Sequence, residues 1–164
     1  MSTASIHIDL ARQQLTFTDA AGARHSYAVS TARNGAGERN GSFCTPRGRH
    51  RIRAKIGAGQ PAGTVFIGRR PTGELYSDEL AARSSRSDWI LSRILWLCGE
   101  EIGRNRLGNV DTMRRFIYIH GSPDSAEMGR PGSIGCIRMH NDDIIDLFDR
   151  VPAGTPVLIE EGPA

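Results

Sequence analysis

From Ile6 to Val29 apolar residues recur at every second position: Ile6, Ile8 and Leu10, then Leu15 and Phe17, then Tyr27 and Val29. A period of two sends consecutive side chains to opposite faces of an extended chain, so each run is a half-buried strand and not a helix. Polar or glycine-containing turns such as Asp19-Ala20-Ala21-Gly22 separate the runs, which therefore read as hairpins. Such strands bury their apolar faces only by pairing into a covered sheet, so the chain is expected to be mainly β. A second alternation sets Arg47, Arg49, Arg51, Arg53 and Lys55 against Ile52, Ala54 and Ile56. It predicts a strand with one cationic and one apolar face. A solvated face is the favoured reading, with attraction to an anionic ligand as the alternative.

Other elements are legible. Phe116-Ile117-Tyr118-Ile119 reads as a buried strand, and Trp89 to Leu97 as either a buried strand or a short helix. One helix is well marked: Asn141 is placed as its N-cap, Asp142 and Asp143 suit its positive end, and Ile144, Leu147, Phe148 and Val151 follow helical spacing before Pro152. Pro156 to Ile159 reads as a closing strand. Residues 69–88, polar and rich in arginine and serine, are an excursion from the sheet and a candidate lid, with 69–115 as the outer bound of such an insertion. Asn34-Gly35 and Asn40-Gly41 mark an aperiodic loop expected to border the site. With 164 residues, 38% of them hydrophobic, the chain suits a single domain spanning 1–164.

The chemistry concentrates near the C-terminal end, in His120-Gly121-Ser122 and Ser133-Ile134-Gly135-Cys136-Ile137-Arg138-Met139. A thiolate is a strong nucleophile, but a free cysteine with a pKa of about 8.5 is mostly protonated at neutral pH. A neighbouring imidazole that takes the proton removes that obstacle, and His120 is the candidate base for Cys136. The Gly121 carbonyl can accept from one imidazole nitrogen and fix the tautomer. Glycine at 135 leaves room for backbone N–H groups near the sulfur to face a developing oxyanion.

These two segments resemble the signature of the L,D-transpeptidase catalytic domain, the YkuD-type family of bacterial cell-wall enzymes. Thr45-Pro46-Arg47-Gly48 resembles that family's Thr-Pro-x-Gly segment, and Ile6 to Phe17 its opening hairpin, so the resemblance spans most of the chain. The family's usual Ser-His-Gly-Cys is here Ser133-Ile134-Gly135-Cys136, which leaves His120 intact and removes a second imidazole. The resemblance implies a β-sandwich-like, β-rich fold with one C-terminal helix bracing the catalytic loop, and a cysteine acyl-enzyme acting on peptidoglycan stem peptides. It implies cleavage between the third stem residue, meso-diaminopimelate, and D-alanine. Arg138 is then a carboxylate anchor or a clamp on the loop, and Ser133, Tyr118, Asn141 and Trp96 are candidates for substrate contact. An L,D-carboxypeptidase acting on muropeptides is favoured over a cross-linking transpeptidase and over a non-catalytic muropeptide-binding module.

Other classes find less support. Cys44 and Cys98 lack any catalytic context and read as structural. His120, Cys136, His140, Asp142 and Asp143 are metal-ligand types, but none forms the close pairs that zinc sites use, so neither metal nor cofactor is expected. Nucleic-acid binding would want aromatic residues among the basic ones, and the 47–55 segment has none. No apolar run approaches the roughly 18 residues of a membrane span. The N-terminal residues run straight into strand-like alternation without an apolar export segment, so a cytosolic location is expected, or a periplasmic one if a leader was removed.

Overall fold

The computed structural model describes residues 3–162. In chain order its elements are β1 (Ser5–Asp9), β2 (Gln14–Thr18), β3 (Arg24–Ala28), β4 (Gly48–Ile56), β5 (Thr64–Ile67), β6 (Arg70–Leu75), α1 (Asp78–Ala82), β7 (Leu91–Gly99), β8 (Tyr118–Ser122), β9 (Ile137–His140), α2 (Asn141–Arg150) and β10 (Pro156–Glu160). The architecture is mainly β, with α2 as its C-terminal helix. The strands form one sheet in the order β3-β2-β1-β10-β4-β7-β5-β6, while β8 pairs with β7 and β9 with β8. Among the described strand pairs, β1–β10 and β8–β9 are the parallel ones.

Just beyond β3, Ser30 exchanges backbone hydrogen bonds of 2.9 and 2.8 Å with Arg138 of β9, so the two ends of the sheet meet around the core. Ile6, Ile8, Leu15, Phe17 and Tyr27 from the first hairpins pack there with Ile52, Leu95, Ile119, Ile137 and Met139. From α2, Ile144, Leu147 and Phe148 join the same cluster. Each such side chain contributes about 1.5–3 kcal/mol on burial, which makes this cluster the main support of the sheet.

The ambiguous 89–97 run is strand β7, interrupted where Ser92 takes a φ of +72° and the register with β8 shifts. Lying between β4 and β8, β7 is central, so within 69–115 the segments off the sheet are the short helix α1 with its connections and the stretch from 100 onwards, while β6 is the exposed edge strand. The helix α2 begins one residue earlier in its cap than the sequence suggests: His140 is the N-cap, and Asn141 is the first helical residue. Asn141 is spent otherwise, accepting from Ser92 Oγ at 2.6 Å and donating to the Ser122 carbonyl at 3.0 Å. It ties β7, β8 and α2 together. No helix among the described residues is long and apolar enough to cross a membrane.

On β4 the cationic face is solvated as favoured, with Arg49, Arg51 and Arg53 exposed and His50 and Ile52 buried. Arg47 pairs with Glu38 at 2.9 Å, and Lys55 Nζ donates to the Phe148 carbonyl at 2.7 Å beneath α2. The interior His50 lies 3.0 Å from the Gly48 carbonyl through Nδ1 and 2.9 Å from Thr112 Oγ1 through Nε2. A carbonyl only accepts, so Nδ1 carries the proton and the threonine hydroxyl donates to Nε2. Burial holds this imidazole down at about 4. Because the unfolded chain protonates near 6.5, this stability is complete above that pH and is lost as pH falls towards 4, by about 3 kcal/mol in all. Between pH 7 and 4.5, urea unfolding is expected to show a loss about 2 kcal/mol smaller in His50→Gln than in the parent. Equal losses would remove His50 from the account.

Candidate active site

Strand pairing sets the site. In the β8–β9 register Ile119 faces Ile137 and His120 faces Arg138, so Cys136, one residue before β9, stands level with Tyr118. Side chains alternate along both strands, which sends Ile119, Ile137 and Met139 into the main core and leaves Tyr118, His120, Cys136 and Arg138 on the other face. On β7, Ile94 lies opposite His120 and Trp96 opposite Tyr118, extending that face. The sequence separates His120 and Cys136 by sixteen positions; the parallel pair brings them two residues apart along one ladder.

His120 is fully buried. Its Nδ1 donates to the Gly121 carbonyl at 2.6 Å, as the sequence suggested, which leaves Nε2 as the basic nitrogen. That Nε2 is buried and has no hydrogen-bond partner among the described residues. An unmet buried acceptor costs about 1–3 kcal/mol, and a resting general base is a setting in which such a cost is useful. Burial lowers the imidazole pKa against the Gly121 bond, with Asp88 raising it and Arg138 lowering it further. Gly121 cannot be larger: a Cβ there would meet Asn141 Oδ1 and the Leu91 carbonyl, both at 2.5 Å.

The Cys136 thiol donates to the Phe116 carbonyl at 3.3 Å and accepts the Tyr118 N–H at 3.3 Å. Burial pushes it up to about 12; the Tyr118 N–H opposes that rise, Asp88 adds to it, and Arg138 and Arg115 oppose it. The same Asp88–Arg138 ion pair, 2.8 Å long, therefore acts on both the sulfur and the imidazole. The resting pair is neutral thiol and neutral imidazole.

The loop before Cys136 is held by internal hydrogen bonds. Thr45 Oγ1 donates to the Gly135 carbonyl at 2.9 Å and accepts the Ala32 N–H at 3.0 Å, which gives the Thr45-Pro46 segment its task. Gly135 has a φ of +134°, and a Cβ there would crowd Ile117 at 3.1 Å. Its N–H does not face an oxyanion site: it donates to Ser133 Oγ at 3.2 Å, because a serine two residues earlier closes a local turn. Ser133 Oγ in turn donates to the Cys136 carbonyl at 2.6 Å, so Ser133 shapes the loop and is not available to a ligand.

The sulfur opens into a cavity of about 450 Å³ lined by Phe43, Phe66, Arg69, Asp88, Arg115, Phe116, Tyr118 and Ile134 among others. Of the residues the sequence offered for substrate contact, Tyr118 lines it. Arg138 is a clamp, donating to Gly132 O at 3.1 Å and paired with Asp88. Trp96 stands behind the wall with its indole N–H on the Met113 carbonyl, and Asn141 faces a separate hollow beside Asp124. Asn40, Gly41 and Phe43 bring the aperiodic loop to the rim, held by Arg115 on the Cys44 carbonyl at 2.6 Å. Ile134, where the resemblance would place histidine, is exposed and forms part of the lining. Arg69, Asp88 and Arg115 were not singled out from the sequence; the Gly68-Arg69 turn was the one local signal. Among the described residues no three His, Cys, Asp or Glu side chains are grouped to hold a metal.

A model of the L,D-transpeptidase catalytic domain, YkuD, matches residues 3–159. The chain belongs to that family. YqjB of Bacillus subtilis, assigned as an L,D-transpeptidase, is 47% identical over 47 residues, which cover 29% of this chain and 27% of that protein. ErfK/SrfK of Escherichia coli, assigned likewise, is 49% identical over 49 residues, 30% of this chain and 16% of its own length. The matched segments thus span a quarter or less of some relatives. Among solved structures, an L,D-transpeptidase from Mycobacterium smegmatis superimposes with a TM-score of 0.57 at 18% identity, covering 97% of this chain and 59% of its own. L,D-transpeptidase 3 of Mycobacterium tuberculosis, in complex with a faropenem-derived adduct, gives 0.58 at 13% identity, covering 97% and 60%. These structures share the fold.

A neutral resting pair has a kinetic signature. The rate of Cys136 alkylation by uncharged iodoacetamide is expected to rise by about tenfold per pH unit between pH 7 and 9 without levelling, because the thiol stays below its raised pKa throughout. A plateau in that range, followed on the Cys136 peptide by mass spectrometry, would mean a preformed thiolate–imidazolium pair instead.

Proposed function

We propose that this domain is a cysteine acyl-enzyme that opens the bond between the third residue of a peptidoglycan stem peptide, meso-diaminopimelate, and D-alanine, with water as the favoured acceptor. The observation carrying this reading is the unpartnered Nε2 of His120 on the same sheet face as the Cys136 sulfur. The thiol proton moves from sulfur to Nε2 as sulfur attacks the stem carbonyl. The carbonyl π electrons go to oxygen, where the Cys136 backbone N–H and the Arg115 charge on the cavity wall stabilise the anion. Collapse breaks the C–N bond, and Nε2 returns the proton to the departing D-alanine amine. Water then gives a proton to Nε2 and attacks the thioester, releasing the tripeptide acid and the free thiol.

Water is favoured as the acceptor because a cytosolic member of the family would meet soluble muropeptides and not the polymer. Transfer to an amine, forming cross-links or exchanging D-amino acids, uses the same acyl-enzyme and is the second reading. In the favoured reading the substrate is a soluble muropeptide met in the cytosol; recovery of the native protein from the periplasm would shift the balance to cross-linking.

Incubation with a disaccharide-tetrapeptide, with and without a second D-amino acid, tests this by mass spectrometry. Loss of D-alanine is expected from the parent, and exchange would assign transpeptidation. Cys136→Ala is expected to be inert, and His120→Ala to fall by about 10²–10⁴-fold, the usual contribution of a general base. No change of the peptide under either condition would leave only binding.

A further inference from the structure

Arg69 and Arg115 line the Cys136 cavity and Arg138 stands behind it on Asp88, and the three guanidinium groups differ in what their N–H groups already hold. Arg138 is neutralised by Asp88 at 2.8 Å and also bonds the Gly132 carbonyl. Arg115 is committed to the Cys44 carbonyl at 2.6 Å, the Gly37 carbonyl at 3.2 Å and Ser42 Oγ at 3.4 Å. Among the described residues Arg69 has one hydrogen bond, a donation of 3.0 Å to the Tyr118 hydroxyl, and that acceptor is uncharged. Its guanidinium carbon lies 4.7 Å from the centroid of the Trp96 ring and 5.0 Å from that of Phe116. Among the described residues no carboxylate lies within ion-pair distance of it.

Aromatic faces hold a guanidinium in place through its π surface and leave its N–H edge available, which is the geometry that planar, bidentate recognition of a carboxylate requires. The apolar lining from Phe43, Phe66 and Ile134 strengthens any ion pair formed there by lowering the local dielectric. The backbone adds an independent observation. Gly68 and Arg69 form the two-residue turn between β5 and β6 with φ of +56° and +64°. Both positions of such a turn suit glycine or asparagine, and nothing in the turn calls for arginine. Strained positions held by surrounding contacts concentrate at ligand-binding sites.

We propose that Arg69 is the carboxylate-binding residue of this cavity, pairing with a free carboxylate of the peptide whose carbonyl is offered to Cys136. The identity of the peptide rests on the reading in the preceding subsection; the anion site does not. Arg69 fixes the substrate's register on β8 through Tyr118, two residues from the catalytic base.

Alkylation of Cys136 by anionic iodoacetate and by neutral iodoacetamide, compared in the intact protein by mass spectrometry of the Cys136 peptide, separates the anion site from general effects. In Arg69→Met the iodoacetate rate is expected to fall about tenfold, corresponding to about 1.4 kcal/mol, with the iodoacetamide rate within about twofold of the parent. Arg69→Lys is expected to retain most of the discrimination, and Arg69→Gln serves if the methionine variant fails to fold. Equal falls with both reagents, or an unchanged iodoacetate rate, would overturn the proposal. With tetrapeptide substrates, Arg69→Met is expected to raise KM about tenfold with kcat within about twofold. Amidation of the carboxylate that Arg69 holds abolishes that difference, and separate amides of the terminal and side-chain carboxylates show which one it is. If the parent turns over no peptide, the stem-peptide reading fails while the iodoacetate comparison still decides the anion site.

Discussion

The parallel pairing of β8 with β9 is the constraint on which the rest of this domain depends, because it converts two distant sequence segments into neighbours on one sheet face. Parallel strands cannot be joined by a tight turn, so the connection from Ser122 to Ile137 has to travel. The chain uses that length to build the 129–136 loop, pinned by Thr45, Ser133 and Arg138. The face opposite the catalytic pair is the main core. Ile119 and Ile137, the strand neighbours of His120 and Cys136, are fully buried there, so the register of the site and the packing of the core are one choice. A slip by one residue would send the imidazole into the core and an isoleucine to the sulfur.

Burial then governs the chemistry. Desolvation favours the uncharged form of both groups, lowering the imidazole and raising the thiol, so proton transfer between them at rest is uphill. What offsets the cost sits nearby: the Tyr118 N–H on the sulfur and the Arg115 charge, while Asp88 raises the thiol against its partner Arg138. A thiol kept neutral until a substrate carbonyl arrives is also guarded against adventitious oxidation and alkylation, which consume the thiolate. Electrostatics and access here serve the same end.

Much of this was legible from residue order. Alternation located the N-terminal hairpins and β4, because a half-buried strand writes its two faces directly into the sequence. The His120-Gly121 and Gly135-Cys136 segments named nucleophile, base and the carbonyl that orients the base. Other parts needed the third dimension. Asn141 was read as a helix cap from local spacing, but its amide is claimed by Ser92 and Ser122 on two strands that only the sheet brings near. The spacing suggests backbone N–H groups around Gly135 and Cys136 as oxyanion donors, and the serine two residues earlier takes the Gly135 N–H. Arg69, Asp88 and Arg115 come from three separate stretches, and no periodicity marks residues whose only shared property is the cavity they surround. Run 89–97 is ambiguous for a physical reason: β7 is central and buried on both faces, so its apolar residues do not alternate with polar ones.

His120 rests with its proton on Nδ1 and with a bare, buried Nε2. Nitrogen-15 NMR of histidine-labelled protein, assigned with a His120→Asn variant, reports this state directly. Between pH 7 and 8 His120 is expected to carry its proton on Nδ1 and none on Nε2. An imidazolium in that range, or the proton found on Nε2, would contradict it.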